Sequence, residues 1–199
     1  MEIQFYDKNI VICIKPVGID SEHGMIEELK NVLDGEFFVV HRFDLNVGGL
    51  MVYARNKHTA AYLSKIIQEN KMIKEYKAIV HGIVDEHDIL EDFLFKDPRK
   101  NKVFVVKKER KGVKKAKLEY KRLGIFNNTS LVHIRLYTGR SHQIRVQFTS
   151  HGYPLVGDHK YGSKDERTSP LLYSYKLTFP YLNKDVSFES EPEFTDIYK

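Results

Sequence analysis

The sequence is poor in cysteine and in long apolar segments, and both absences exclude classes of protein. Cys13 is the only cysteine, which excludes an internal disulfide and a cysteine-based zinc cluster. Its apolar neighbours Ile12 and Ile14 predict a thiol buried in a strand. No apolar segment approaches the length of a membrane span, and the first residues show no signal-peptide pattern. We therefore expect a cytoplasmic protein with no membrane partner.

The chain also lacks internal repeats, low-complexity tracts and linkers rich in proline, glycine and serine. Its 199 residues, of which 42% are hydrophobic and 30% charged, suffice to bury one full hydrophobic core. We predict a single domain over residues 1–199.

Positive charge is concentrated in one segment. Residues 99–117 hold ten lysine or arginine side chains and one acid, hence +9, whereas the whole chain carries +5. The apolar residues 103–106 and Gly112 predict a projecting two-stranded hairpin over residues 97–118. Such a patch is expected for a partner with a phosphate backbone, although a hairpin that only improves solubility would look the same. The candidate phosphate contacts are Lys107, Lys108, Arg110 and Lys111.

The hydrophobic pattern predicts more strands than helices. We predict strands at residues 9–15, 37–40, 50–54, 72–80, 89–95, 116–126, 130–137, 171–179 and 186–188, and helices at residues 25–33, 57–69 and 141–150. Few connections have the length of a βαβ crossover. The sequence therefore predicts an α+β fold, with helices packed on a large mixed, mainly antiparallel sheet.

Asp44 lies in a polar turn between two apolar runs, where flanking strands would hold its carboxylate still. Asp and Asn before Gly48-Gly49 are also ordinary turn residues, so this stretch alone leaves both interpretations open. A second polar stretch contains Arg140 and Arg145, with Ser141 as a candidate helix cap. A guanidinium is always charged, so Arg145 is a candidate partner that keeps Asp44 ionised. A structural salt bridge would look the same from the sequence.

The sequence supports neither a nucleotide phosphate-binding loop nor a metal site. Residues 152–157 have the glycine spacing of a phosphate-binding loop, but Asp158-His159 replaces its Lys-Ser/Thr pair. The histidines show no paired i, i+4 spacing, so we predict no metal site.

Five stretches, in order along the chain, carry motifs that are known from other proteins. They are residues 14–18, 41–50, 74–82, 138–145 and 152–162. Together they resemble the motifs of the RluA branch of the pseudouridine synthases, and the resemblance runs from about Asn9 to Phe179. It implies a pseudouridine synthase-like catalytic domain that needs no cofactor and acts on ribosomal or transfer RNA. The sequence itself carries no signal for the oligomeric state, and we take a monomer as the default for a small RNA-modifying domain.

The resemblance also implies roles for individual residues. Asp44 would be the catalytic aspartate, Tyr76 the aromatic side chain that packs on the target base, and Arg145 the basic partner of the aspartate. The reaction breaks the bond between the uracil nitrogen and the ribose, turns the uracil and forms a carbon–carbon bond. Whether Asp44 acts as a nucleophile or as a proton acceptor stays open. The implied substrate contacts are Arg42, Arg140, His142, Gln143 and Ile144.

The chain departs from the family at Val47-Gly48, where relatives usually have Thr-Ser, and shows no S4-type RNA-binding module. We therefore expect the catalytic domain itself to provide the affinity for RNA. Two alternatives remain. The first is a non-catalytic RNA-binding protein or RNA chaperone on the same fold, and the second is a metal-dependent hydrolase that combines Asp44 with histidines.

Overall fold

The computed structural model describes residues 1–198, which contain eleven strands and three α-helices. The strands are β1 (Glu2–Tyr6), β2 (Ile10–Lys15), β3 (Phe38–Val39), β4 (Gly48–Ala54), β5 (Ile73–His81), β6 (His87–Asp97), β7 (Lys102–Val106), β8 (Val113–Phe126), β9 (Thr129–Leu136), β10 (Leu172–Tyr181) and β11 (Lys184–Glu189). The helices are α1 (His23–Lys30), α2 (Lys57–Gln68) and α3 (Gln143–Ser150). Within residues 1–198, each helix is too short or too polar to cross a membrane.

The chain divides into two compact units. The first comprises Met1–Lys74 and Tyr173–Pro192, and the second comprises Glu75–Leu172 and the segment that begins at Glu193. In the first unit the strand order is β1-β2-β4-β10, with β3 beside β4 and β11 beside β10. The pair β4–β10 is parallel and the other pairs of this unit are antiparallel. The predicted α+β class with a mixed, mainly antiparallel sheet is confirmed.

Both faces of the central strands in the first unit are buried. On β2, Ile10 and Ile12 face the cluster that contains α2, whereas Val11 and Cys13 face the cluster that contains α1. Residues 50–54 of β4 divide between the two clusters in the same alternating way. A strand covered on both faces consists of consecutive apolar residues, which explains the run that predicted β2. Cys13 is fully buried, as predicted, and burial raises the pKa of its thiol to about 12.

The second unit has the strand order β5-β9-β8-β6-β7. Helix α3 packs on one face of β6 and β7, where Val146 joins Leu94, Val103 and Ala116 in a buried cluster. The predicted turn between β8 and β9 is confirmed. Asn127 and Asn128 both have positive φ, of 45° and 58°, as the favoured two-residue hairpin turn requires.

The prediction of a two-stranded hairpin over residues 97–118 was wrong in its pairing. Strand β7 pairs with β6, with Phe95 opposite Phe104, and β8 pairs with the other edge of β6, with Phe95 opposite Val113. The prediction failed because an alternating pattern shows which face of a strand is buried and carries no information about its neighbour. The basic segment therefore begins in the β6–β7 turn, crosses β7 and continues into β8.

Two smaller predictions also need correction. Ser141 does not cap α3, because the helix begins after His142, which has a left-handed backbone with φ of 51°. The expected strand over residues 37–40 is reduced to Phe38–Val39. Strand β1 was not predicted.

Candidate active site

The loop that carries Asp44 is held by hydrogen bonds on both sides of that residue. Before it, the backbone N–H of Phe43 donates to the hydroxyl of Ser21 at 3.0 Å. After it, the Leu45 carbonyl accepts the backbone N–H of Gly18 at 2.9 Å, and Val47 donates to the carbonyl of Asp44 itself at 2.9 Å. The half-buried carboxylate is therefore presented from a backbone that is fixed from residue 43 to residue 47.

Lys15, at the end of β2, holds the same loop from inside. Its side chain is fully buried, and its ammonium group donates to three carbonyls, those of Pro16 at 2.9 Å, Ile19 at 2.6 Å and Leu45 at 3.2 Å. All three N–H donors are thus used. Burial lowers the pKa of Lys15 to about 8, while the negative charges of Asp20 and Asp44 oppose this decrease. Lys15 is therefore a cation that supports the Asp44 loop both structurally and electrostatically.

The glycine that follows the loop is required by close packing. Gly49 has φ of 116°, and a Cβ placed on it would clash with the backbone carbonyl of Ser174 in β10. At Gly48, one of the two departures from the motif that the sequence resembles, a Cβ would lie 3.2 Å from the carbonyl oxygen of Lys15. Val47 is buried. The two departures therefore lie where the loop enters β4, in tight contact with the Lys15 strand.

His41, at the start of the loop, is held neutral. Its Nε2 accepts the backbone N–H of Val52 at 3.2 Å, so its proton resides on Nδ1. Nδ1 is buried and has no hydrogen-bond partner among the described residues. Burial, assisted by the positive charge of Lys74, lowers the pKa of His41 to about 3. His41 is therefore uncharged at neutral pH and anchors the loop to β4.

In the second unit, Arg145 and Asp158 form a buried bidentate ion pair. Nε of Arg145 lies 2.7 Å from Oδ2 of Asp158, and Nη2 lies 2.8 Å from Oδ1. Both side chains are buried, at 8% and 1% exposure, and the guanidinium also lies 5.1 Å from the centroid of the Tyr161 ring. Sequence reasoning did not assign this partner. Asp44 belongs to the first unit, so the predicted pairing of Arg145 with Asp44 stays a prediction.

Gln143 organises the loop that precedes α3. Its Oε1 accepts hydrogen bonds from the hydroxyl of Thr138 at 2.8 Å and from the N–H of Arg140 at 3.0 Å, while its Nε2 donates to the carbonyl of Lys117 at 3.1 Å. His142 lies 2.7 Å from the Tyr161 hydroxyl through Nδ1. Both predicted substrate contacts thus have structural partners within the unit, and their contact with RNA stays a prediction.

A cationic cavity opens beside Arg140. It has a volume of about 160 Å³ and is lined by Lys96, Lys114, Arg140 and Ser141, among others. Nε of Arg140 donates to the carbonyl of Lys115 at 3.0 Å, which fixes the guanidinium at this position. Arg140 makes no ion pair with any residue that the structure describes. Three cations around one small opening suit a phosphate group.

The remaining predicted residues differ in exposure. Arg42 is exposed and pairs with Glu22 at 3.0 Å, whereas Tyr76 in β5 and Ile144 in α3 are buried. The four basic candidates lie in the exposed β7–β8 connection, at positions 107, 108, 110 and 111. Sequence reasoning missed the roles of Lys15 and Asp158. Both positions lie within the family-like motifs, which was the signal that could have identified them.

The chain matches the RNA pseudouridylate synthase family over residues 9–150. It is 32% identical over 196 residues to ribosomal large subunit pseudouridine synthase D of Borreliella burgdorferi, an alignment that covers 88% of this chain and 60% of the relative. It is 36% identical over 178 residues to an uncharacterized RNA pseudouridine synthase of Aquifex aeolicus, covering 80% of this chain and 55% of the relative. The chain thus spans little more than half the length of these relatives.

Solved structures share the fold at low identity. Human RNA pseudouridylate synthase domain containing 1 superposes with a TM-score of 0.85 at 21% identity, covering 97% of this chain and 84% of the other. Human RNA pseudouridylate synthase domain containing 4 superposes with a TM-score of 0.81 at 24% identity, covering 97% of this chain and 89% of the other. At this identity the superpositions show the fold alone.

Proposed function

Because the chain belongs to the RNA pseudouridylate synthase family, we propose that it isomerises uridines in RNA to pseudouridine, with Asp44 as the catalytic carboxylate. The observation that carries the proposal is the Asp44 loop. In this loop a motif like that of the family coincides with a carboxylate on a backbone that hydrogen bonds hold in place. Such preorganisation is what a reaction within one bound nucleotide requires.

The residues have distinct parts in the proposed reaction. The bond between N1 of uracil and C1′ of the ribose breaks, the ring turns, and C5 bonds to C1′. The C5 proton leaves and N1 gains a proton, so atoms and electrons balance without a cofactor. Asp44 supplies the negative charge, as nucleophile or as proton acceptor. Tyr76 would stack on the uracil, and Arg145 would supply the counter-charge to Asp44.

RNA binding is proposed to come from the basic side chains of the second unit. The cavity beside Arg140 suits one phosphate, and the exposed residues 107–111 of the β7–β8 connection suit others. The target uridine must leave any base stack, at a cost of roughly a few kcal/mol, and phosphate contacts can offset that cost. A relative is named for the large ribosomal subunit, so its RNA is the first substrate to test, followed by transfer RNA. The cytoplasmic location and the monomeric state stay predictions.

The test is direct detection of product. Unmodified ribosomal and transfer RNA transcripts are incubated with the purified protein, and pseudouridine is mapped along each RNA. We expect product with the wild-type protein and none with Asp44→Ala or Asp44→Asn. Asp34→Ala removes an exposed carboxylate of the same unit and serves as the matched control, which should retain full activity.

The same experiment addresses the alternative of a non-catalytic RNA-binding protein. That alternative predicts tight RNA binding, no modified base in either RNA, and binding that Asp44→Asn leaves unchanged. Product formation by Asp44→Ala at the wild-type rate would refute the proposed role of Asp44.

A further inference from the structure

One face of the sheet in the second unit carries three phenylalanines in adjacent positions. Phe93 and Phe95 alternate along β6 with Leu94, and Phe104 of β7 lies directly opposite Phe95. Leu94 is buried in the cluster with α3, so by strand alternation the three rings lie on the opposite face of the sheet. All three phenylalanines are only partly buried. We call this the phenylalanine face.

Each ring of the phenylalanine face has a cation beside it. Nζ of Lys115 lies 5.8 Å from the centroid of Phe93, and Cζ of Arg110 lies 5.4 Å from the centroid of Phe95. Near Phe104, Nζ of Lys102 lies at 5.9 Å and Nζ of Lys100 at 6.0 Å. Partly exposed aromatic rings thus alternate with cations that belong to the +9 segment.

We propose that the phenylalanine face binds a segment of single-stranded RNA by stacking two or three unpaired bases on Phe93, Phe95 and Phe104. Neighbouring strands are about 5 Å apart, and alternate residues along a strand are about 7 Å apart. Aromatic side chains at such positions on a sheet stack successive bases of single strands in known RNA-binding modules. That the polymer is RNA rests on the proposed function.

The positions of the cations favour binding of single-stranded RNA over a role in solubility alone. Lysine and arginine side chains that lie over a ring can turn aside and bind the phosphate of the nucleotide whose base replaces them. A duplex cannot use the surface in this way, because its bases are already stacked and paired. Single-strand preference is therefore the property that separates the proposal from general phosphate attraction.

The experiment uses a short oligoribonucleotide of adenosine and cytidine with one internal 2-aminopurine, whose fluorescence changes when it stacks. Because the probe contains no uridine, binding is measured independently of any modification reaction. We expect the combined variant Phe93→Leu, Phe95→Leu, Phe104→Leu to bind at least about tenfold more weakly, since each stacked base contributes about fivefold to 150-fold. The salt dependence of binding should stay unchanged, because the phosphate contacts remain.

Two controls keep the test independent of folding. The corresponding triple tyrosine variant keeps three aromatic rings and should retain the wild-type affinity and fluorescence change. Phe126→Leu alters a phenylalanine that is 46% exposed at the end of β8, outside the basic segment, and should bind like the wild type. Circular dichroism and thermal unfolding are measured for every variant, and single Phe→Leu variants replace the triple variant if it does not fold.

Three outcomes would overturn the proposal: a triple leucine variant that binds with wild-type affinity and fluorescence, a wild-type protein that leaves the probe unbound, or an equal-length duplex that competes as well as the single strand. Asp44→Ala separates this proposal from the proposed function, because it should abolish product and bind the probe normally. Stacking without any product in a wild-type reaction would support the phenylalanine face and contradict the proposed activity.

Discussion

The ammonium group of Lys15 and the carbonyl of Leu45, the residue after Asp44, are joined by a hydrogen bond of 3.2 Å. The same ammonium binds the carbonyls of Pro16 and Ile19, so one buried cation ties the end of β2 to the Asp44 loop. A lysine whose three donors are all used cannot be replaced by an apolar side chain without leaving carbonyls unpaired. We therefore treat Lys15 as the residue that positions Asp44.

Replacing Lys15 with methionine should damage both stability and activity. The side chain keeps most of its volume and loses the three hydrogen bonds, so we expect the free energy of unfolding to fall by about 1–3 kcal/mol. Displacement of the Asp44 loop should lower kcat by roughly tenfold to a hundredfold with little effect on RNA affinity. Lys30→Met, on the exposed end of α1, is the matched control. An active Lys15→Met variant with normal kcat would refute the positioning role.

The lowered pKa of Lys15 predicts opposite pH effects on activity and on stability. Between pH 8 and 10.5 the folded protein has lost the Lys15 proton while the unfolded chain retains it. The unfolded state then binds more protons, so this residue makes the folded state more stable as pH rises, by roughly 1 kcal/mol per pH unit. Activity should fall over the same range, because one donor and the positive charge near Asp44 are lost. Denaturant unfolding and initial rates from pH 7 to about pH 10 test this, and Lys15→Met should show neither trend.

His41 predicts a loss of stability in mild acid. Its pKa is about 3 in the folded protein and 6.5 for the unperturbed side chain, so between these values only the unfolded chain takes up the proton. Stability should therefore decrease as pH falls below 6.5, by about 2 kcal/mol at about pH 5. His41→Gln keeps an acceptor for the N–H of Val52 and removes the titration. Equal pH dependence in the wild type and in His41→Gln would show that another group is responsible.

The ion pair between Arg145 and Asp158 allows the structural role of Arg145 to be separated from its proposed catalytic role. Arg145→Met alone leaves a buried carboxylate unpaired and should cost about 3–5 kcal/mol of stability. The double variant Arg145→Met, Asp158→Leu removes both charges and should regain at least half of that loss. If Arg145 also supplies the counter-charge to Asp44, the double variant stays inactive despite its restored stability. Recovery of turnover together with stability would refute that catalytic role.

The elements best predicted from the sequence are those whose burial pattern is periodic or continuous. Strand β2 and helix α2 lie within a residue or two of their predicted limits, because one is buried on both faces and the other on one side. The Asp44 turn was located for the same reason, since apolar runs flank it. The motif over residues 14–18 could have drawn attention to Lys15, but not to its three hydrogen bonds, because their acceptors are backbone carbonyls, which every residue has. The partner of β7 was misassigned, as β8 instead of β6, because alternation does not encode strand order.

The basic connection between β7 and β8 allows RNA binding to be tested separately from catalysis. Reversing the charge of the four exposed residues Lys107, Lys108, Arg110 and Lys111 to glutamate should weaken RNA binding and flatten its dependence on salt, because fewer counterions are released from the RNA. The fold should remain intact, since residues 107–112 lie on the surface outside the strands. Affinity is measured by filter binding at several salt concentrations. The control variant reverses two exposed lysines of the first unit, Lys8 and Lys30, which should leave the salt slope unchanged. An unchanged slope in the fourfold variant would show that the connection is only a solubilising surface.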